Sequence, residues 1–91
     1  MKVRYTETAL AELDQIFTYI AKENAQAAAV VVDRVEQLVA RIGEFPHLAY
    51  ATDEAAVRVI PIGRFPYLMF YTVAGDEVVI LHVRHAARLR P

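Results

Sequence analysis

The sequence contains no cysteine and no serine. Without cysteine the chain has no disulfide framework, no thiolate nucleophile and no cysteine-bound zinc site. Without serine the other usual nucleophile of acyl transfer is missing as well. These absences exclude most small secreted scaffolds and most small zinc modules, and we expect a protein that uses no cofactor and no metal.

Glycine and long apolar runs are also scarce. The glycines, at positions 43, 63 and 75, are too scattered for a loop that cradles phosphate. The longest run of alanine and valine, residues 27–32, is far shorter than the roughly 20 residues that span a bilayer. The N-terminus is charged and polar and has no apolar stretch of signal-peptide length. We expect a soluble, cytoplasmic protein with no membrane partner.

Apolar residues are abundant by contrast. They make up 56% of the 91 residues, and charged residues make up 23%. This composition supports a folded core and argues against a disordered chain. The length fits one domain better than two, so we predict a single domain over residues 1–91.

The charges divide unevenly along the chain. Residues 1–54 carry five basic and nine acidic side chains, whereas residues 55–91 carry five basic and two acidic ones. The basic residues of the second half are all arginines: Arg58, Arg64, Arg84, Arg88 and Arg90. A guanidinium group binds phosphate or carboxylate in a planar, bidentate manner. These arginines either bind an acidic target or simply keep a hydrophobic sheet in solution.

The first half has the apolar spacing of two helices. In the first of them, five apolar residues recur at steps of three and four: Leu10, Leu13, Ile16, Phe17 and Ile20. Thr6 precedes this helix as an N-cap, Asn24 separates it from the second, and Gly43 is predicted to stop the second. Because only about two residues join the helices, we predict an antiparallel helical hairpin over residues 6–43.

The second half has the pattern of strands. Residues 44–56 lack periodicity and are predicted to form a loop, and strands are predicted at residues 57–62, 67–73 and 78–84, with another at residues 2–5. We predict an α+β fold of order β-α-α-β-β-β, in which the helical hairpin packs on one face of a mainly antiparallel four-stranded sheet. Both faces of the last two strands look apolar. The face away from the helices should therefore be covered by a loop, a second subunit or a partner protein.

Carboxylate pairs give no sign of acid–base chemistry. Glu12 and Asp14 fall on the polar side of the first predicted helix, and Asp53 and Glu54 fall in the predicted loop. We expect all four side chains to be solvated.

The histidines and arginines near the C-terminus allow two interpretations. His82 and His85 are an odd number of residues apart on one strand, so they should point to opposite faces and cannot chelate one ion together. His85 with Arg64 and Arg84 is compatible with metal-free RNA cleavage, in which arginines stabilise the phosphorane and a histidine moves a proton. In the structural alternative, His85 ends a strand and is bonded to a neighbouring carbonyl.

Four stretches are distinctive in their order along the chain. They are residues 11–21 of the first helix, residues 57–67 with Arg58 and Arg64, the pair Phe70-Tyr71, and the C-terminal residues 83–91. Together they resemble the RelE/ParE superfamily of type II toxins, most of all its ParE, or plasmid-stabilisation, branch. The likeness covers essentially the whole chain.

The resemblance implies a toxin that a co-encoded, ParD-like antitoxin holds inactive in a hetero-oligomer. The best-known ParE proteins poison DNA gyrase, whereas RelE proteins cleave messenger RNA on the ribosome with basic residues and a C-terminal tyrosine or another acid–base group. Here no tyrosine follows Tyr71, and two alanines follow His85. The resemblance therefore favours a non-enzymatic gyrase poison. The alternatives are a ribosome-dependent endoribonuclease that uses Arg64, Arg84 and His85, and a degenerate, non-toxic protein that only binds its antitoxin.

Two binding surfaces follow from this interpretation. The residues predicted to bind the target are Arg58, Arg64, Arg84, Arg88 and Arg90. The residues predicted to bind the antitoxin are Leu13, Phe17, Ile20, Tyr67, Met69 and Tyr71. We assign no catalytic residue outside the ribonuclease alternative.

Overall fold

A computed structural model describes residues 1–89 of the chain, with side chains as far as Ala87, as two long helices and five strands. In chain order these are β1 (Lys2–Tyr5), α1 (Glu7–Glu23), α2 (Ala25–Glu44), β2 (Tyr50–Ala51), β3 (Val57–Pro61), β4 (Tyr67–Ala74) and β5 (Glu77–His85). A short 3-10 helix, Ala86–Leu89, follows β5. The predicted α+β order is confirmed, with β2 as an addition.

The helical hairpin is fixed by its caps. The Thr6 hydroxyl accepts a hydrogen bond from the Ala9 N–H at 3.0 Å, which satisfies one of the free donors of the first turn of α1. Asn24 serves both helices: its N–H donates to the Ile20 carbonyl, and its side chain accepts from the Ala27 N–H. The predicted boundary at Asn24 is confirmed, and α2 ends at Glu44, one residue beyond the glycine that was expected to stop it.

The sheet has the order β1-β5-β4-β3-β2. Only the pair β1 and β5 is parallel, so the sheet is mainly antiparallel as predicted. The prediction of four strands was wrong by one, because Tyr50 and Ala51 pair with β3 inside the segment expected to be a loop. Two residues are too few to show a period of two in the sequence. Gly75, with a φ of 63°, makes the tight turn between β4 and β5.

The hydrophobic core lies between the helical hairpin and one face of the sheet. The helices contribute Ala9, Leu13, Val31, Val35 and Ile42, and the sheet contributes Ile60, Tyr67, Met69, Tyr71, Val78, Ile80 and Val83. Burial of this apolar area is the main stabilising term of so small a domain. Because side chains alternate along β4 and most of β5, the residues between these core positions point to the other face of the sheet.

The opposite face of the sheet is left partly accessible by the described residues. Leu68, Phe70 and Leu81 are half-buried there, while Val79 is buried. Both described helices pack on the core side, so the expectation that a further element or molecule covers this face stays a prediction. Neither described helix combines the length and apolar character needed to cross a membrane.

Candidate functional site

The C-terminal part of β5 extends beyond its neighbour β1. β1 pairs only with residues Glu77 to Ile80 of β5, so residues 81–85 have a free edge on that side. The Ala86 N–H donates to the Pro66 carbonyl of the turn before β4. Counting back from Ala86 along β5, every second residue therefore directs its backbone N–H and C=O groups toward β4. Val83 and His85 therefore direct their backbone groups to the free edge.

Two residues from the start of the chain meet this free edge. The Thr6 hydroxyl donates to the Leu81 carbonyl at 3.0 Å. The Val83 N–H donates to Oε1 of Glu12, also at 3.0 Å. Glu12 lies on α1, so its carboxylate reaches from the helix to the strand edge. A backbone donor that would otherwise need water is thus satisfied by a charged acceptor.

The same carboxylate gathers two more polar side chains. Nδ1 of His82 lies 3.4 Å from Oε1 of Glu12, and Nε of Arg84 lies 3.6 Å from Oε2. Nη2 of Arg84 is 3.3 Å from the same His82 Nδ1. We call Glu12, His82 and Arg84 the edge cluster. Its side chains are 23%, 38% and 43% exposed, so the cluster is reachable from solvent while Glu12 is its most buried member.

Two grooves meet at the edge cluster. One lies between α1 and the end of β5, with Tyr19, Tyr67 and His85 in its walls. The other lies on the partly accessible face of the sheet, with Phe70 and Leu81 in its walls. Arg84 lines both grooves. A phosphate-bearing target that enters either groove would meet the Arg84 guanidinium.

His85 is engaged by the local backbone. Its Nδ1 accepts a hydrogen bond from the Ala87 N–H at 3.1 Å, and its ring packs edge-on against Tyr67 with the ring centres 5.3 Å apart. The structural alternative expected a bond to a neighbouring carbonyl, whereas the partner is a backbone N–H. With Nδ1 acting as acceptor, the proton of the neutral ring is on Nε2.

From His82 to His85, successive residues of β5 point to opposite faces. His85 pairs with Tyr67, a core residue, whereas Arg84 pairs with Leu68 on the other face. His82 pairs with Phe70, also on that other face, so the predicted separation of His82 from His85 is confirmed. Among residues 1–87, no group of three or more histidine and carboxylate side chains is arranged to hold a metal ion.

Arg58 supports the fold at the far side of the sheet. Its Nη1 donates to the carbonyl of Ala49 at 3.0 Å and lies 3.4 Å from that of His47. Beside it the Tyr71 hydroxyl donates to the Pro46 carbonyl at 2.8 Å. We call Arg58 and Tyr71, with the carbonyls that they bind, the loop clamp. An arginine predicted to meet the target is thus occupied in holding the segment between α2 and β2.

Burial raises the pKa of Tyr71, against the smaller opposing effects of an Ala49 backbone hydrogen bond and the nearby Arg58 charge. Burial likewise raises the pKa of Tyr5, and the charge of Glu36 acts in the same direction. The fold therefore disfavours ionisation of both phenols.

The other predicted target-binding arginines fall into two groups. Arg64 is exposed in the turn between β3 and β4. The Arg88 side chain and the whole of Arg90 lie outside the described residues. The structure therefore places Arg84 and Arg64 where a target could reach them, and Arg58 in the loop clamp.

The predicted antitoxin-binding residues divide into buried and half-buried side chains. Leu13 and Tyr67 are buried, and Met69 and Tyr71 are completely inaccessible in the core. Phe17 and Ile20 pack against the core but are only half-buried. The four buried side chains stabilise the sheet and hairpin, so a partner bound to the folded chain would reach Phe17 and Ile20 first.

Sequence reasoning missed the role of Glu12. Its side chain was expected to be solvated with Asp14, but it bonds to β5 some 70 residues later in the chain. The only local signal is its spacing from Ile16 and Tyr19, which places it on the border of the apolar stripe of α1. Nothing local identifies the strand edge that it meets.

A family of toxins matches almost the whole of this chain. The family model described as the ParE toxin of the type II toxin–antitoxin system, parDE, matches residues 3–90. The chain therefore belongs to the ParE toxin family.

Two curated proteins are similar along nearly their whole length. The putative toxin Y4kP of Sinorhizobium fredii is 34% identical over 90 residues, which cover 99% of this chain and 93% of the relative. Toxin RelE2 of Caulobacter vibrioides is 37% identical over 91 residues, with coverage of 97% and 98%. Both relatives are named as toxins, and one of them carries a RelE name.

Solved structures share the fold. A chain of the chromosomal ParDE system of P. aeruginosa superposes with a TM-score of 0.79 at 23% identity, over 93% of this chain and 95% of that one. A YoeB/ParE toxin of Agrobacterium tumefaciens superposes with a TM-score of 0.66 at 15% identity, over 93% and 98%. These likenesses establish the RelE/ParE-like architecture.

Proposed function

We propose that this ParE-family toxin inhibits DNA gyrase and is neutralised by a ParD-like antitoxin encoded beside it. The arrangement of β5 is the observation that carries the choice of target. Arg84 and His85 point to opposite faces, and Nδ1 of His85 is already bonded to the Ala87 N–H. Both residues line the groove between α1 and β5, but with Nδ1 accepting from the Ala87 N–H the neutral His85 ring carries its proton on Nε2 and has no free lone pair to act as a general base. This favours a toxin that binds its target over one that cleaves RNA.

The target surface, in this proposal, is built around Arg84 and Arg64. Arg84 lies where the two grooves meet, and Arg64 is exposed in the neighbouring turn. Positive charge at this end would steer the toxin toward an acidic protein surface or toward DNA held by a topoisomerase. Replacing Arg64 by alanine should weaken toxicity more than antitoxin binding.

Expression of the toxin without antitoxin tests the target. We expect DNA damage and loss of supercoiling before translation falls, and the purified chain should inhibit gyrase in a supercoiling assay. Arg84→Ala should relieve this inhibition. Arg4→Ala provides the matched control, because Arg4 is an exposed arginine on β1 that pairs with Glu77 at 3.1 Å, away from the grooves. Full gyrase activity in the presence of the wild-type chain would refute the gyrase target.

A ribonuclease is the second candidate, favoured by the 37% identity to toxin RelE2. In that case His85→Gln should abolish toxicity, because glutamine cannot transfer the proton. For a gyrase poison the same change should leave toxicity nearly unchanged. Mapping of messenger RNA after induction gives the independent measurement, and cuts within ribosome-bound transcripts would establish the ribonuclease.

The antitoxin, we propose, binds the exposed apolar side chains of α1. Tyr19 is 68% exposed at one border of the apolar stripe of α1 and Leu10 is 53% exposed at the other, and Phe17 and Ile20 are half-buried between them. An amphipathic segment that folds on binding would bury them. Tyr19→Ala should weaken the toxin–antitoxin complex at least about tenfold, as expected of a tyrosine hot spot.

Tyr50 supplies the matched control for this binding test. It is 69% exposed but lies on β2, away from α1, so Tyr50→Ala should leave the affinity for antitoxin unchanged. Equal effects of the two substitutions in a calorimetric titration would place the antitoxin elsewhere. Tight antitoxin binding by a chain that is harmless when induced alone would indicate the degenerate, non-toxic alternative.

A further inference from the structure

A backbone N–H, a guanidinium and an imidazole ring surround one carboxylate in the edge cluster. The Val83 N–H, Nε of Arg84 and Nδ1 of His82 lie 3.0, 3.6 and 3.4 Å from the oxygens of Glu12. A backbone N–H beside a guanidinium is the kind of donor set that binds an external anion. The anion that occupies it here belongs to the chain itself.

We propose that Glu12 is a gating residue: its carboxylate occupies an anion site at the end of β5 and must yield Arg84 when a phosphodiester of the target binds. This inference deepens the proposed function, since it rests on Arg84 being part of the target surface. It does not depend on whether that phosphate belongs to DNA or RNA.

The geometry indicates that the gate is weakly closed. The Arg84–Glu12 contact is 3.6 Å long and Arg84 is 43% exposed, so this ion pair is partly screened by water. Pairs of this type contribute little to stability. A phosphodiester can offer two oxygens to the guanidinium fork and replace the carboxylate at small net cost.

The position of Arg84 explains how Glu12 would affect the binding of a ligand in the grooves. Because Arg84 lines both grooves, a ligand in either groove meets a guanidinium that is already partly neutralised by Glu12. The backbone bond from Val83 keeps the carboxylate in place after Arg84 moves away. The acidic residue thus lowers the affinity of the grooves for phosphate without leaving the strand edge unsatisfied.

Glu12→Gln separates the charge of this side chain from its hydrogen bonding. The glutamine oxygen can still accept from the Val83 N–H, but it no longer neutralises Arg84. Fluorescence anisotropy with a labelled single-stranded DNA oligonucleotide would measure the affinity of the full chain. We expect binding to tighten about two- to fivefold, the range set by a partly exposed ion pair.

Glu23→Gln is the matched control. Glu23 ends the same helix, is exposed and changes the net charge equally, so a gain from overall charge alone would appear in both variants. In the Arg84→Ala background the gain from Glu12→Gln should vanish. Equal affinities of the Glu12 and Glu23 variants, weaker binding by Glu12→Gln, or a gain that persists without Arg84 would each overturn the proposal.

A measurement on the unchanged chain covers the case in which Glu12→Gln does not fold. In a 15N NMR titration with the same oligonucleotide, the Val83 amide and the Arg84 Nε–H should be among the resonances that shift most. Shifts confined to other parts of the chain would overturn the proposal. These assays measure affinity for phosphate and not toxicity, so they are independent of the gyrase test. The effect of Glu12 on Arg84 can be present in a chain that does not inhibit gyrase and absent from one that does.

Discussion

Arg58 and Arg84 are two arginines of one sheet with opposite uses. In the loop clamp, Arg58 donates to backbone carbonyls that cannot leave without unfolding the segment after α2. In the edge cluster, Arg84 faces a single carboxylate at 3.6 Å and remains 43% exposed. The side chains are chemically identical, so the difference lies entirely in their partners.

The comparison shows which arginines of this small domain are available to bind another molecule. An arginine bonded to backbone carbonyls is part of the fold, and its removal leaves those carbonyls to find water. An arginine paired to a partly exposed carboxylate can change partner, because solvent or another anion replaces the bond. A positive charge in the sequence is therefore available for recognition only where its partner is replaceable.

The largest expected effect is at the aromatic member of the loop clamp. Tyr71→Ala removes a fully buried ring and the hydrogen bond to Pro46, and should lower the free energy of unfolding by about 3–5 kcal/mol. Tyr50→Ala, which removes a 69% exposed ring from β2, should change it by less than about 0.5 kcal/mol. Thermal melts followed by circular dichroism would measure both. Similar melting temperatures for the two variants would contradict the assignment of Tyr71 to the core.

The direct test of the comparison is a pair of arginine substitutions. Arg58→Ala should cost about 1.5–3 kcal/mol of unfolding free energy, because hydrogen bonds from a charged donor to backbone carbonyls are lost. Arg84→Ala should cost less than about 1 kcal/mol but should abolish target inhibition. Stability and gyrase inhibition measured on the same preparations would separate the two roles. A folded Arg58→Ala variant with lost toxicity would return Arg58 to the target surface.

Thr6 stabilises both the first turn of α1 and the free edge of β5. Its hydroxyl accepts from the Ala9 N–H and donates to the Leu81 carbonyl, so Thr6→Ala should cost about 1–2 kcal/mol. Asn24→Ala loses only an exposed cap on α2 and should cost about 0.5–1 kcal/mol. Urea denaturation would measure the difference. Equal costs would show that the bond to Leu81 adds nothing.

The smallest effect concerns pH. Tyr71→Phe should cost about 1 kcal/mol near neutral pH through the lost bond to Pro46. Because the pKa of Tyr71 is raised in the folded state, the unfolded chain releases this proton first, and wild-type stability should fall as pH rises above about 10. The fall should be shallower in Tyr71→Phe. It should not vanish, since Tyr5 has a raised pKa as well. Identical pH profiles in denaturant titrations would refute this contribution of Tyr71.

Local patterns account for most of the fold. The apolar stripe of α1, the Thr6 and Asn24 caps and the Gly75 turn are signals within a few residues of one another, and the structure follows them. The two-residue strand β2 had no such signal. It exists because β3 offers Tyr50 and Ala51 an edge to pair with, which is a property of the sheet.

The surfaces were harder to predict than the elements. Alternation along β4 placed Met69 and Tyr71 together on an apolar face, but not which face the helices would cover. The helices cover that one, which removes these two side chains from the predicted antitoxin surface of the folded chain. Hydrophobicity indicates that a side chain will be buried. Only the tertiary structure decides whether it is buried by its own chain or by a partner.

The sequence by itself determined the α+β class, the hairpin and the order of the main strands, because helix and strand periodicity, caps and turns act over short distances along the chain. The tertiary structure alone decided the partners of its charges. It brought Glu12 to the edge of β5, where β1 ends too early to cover it, and it brought the carbonyls of the segment after α2 to Arg58. Those contacts join residues far apart in the chain, so they arise from how the layers pack and not from any local pattern.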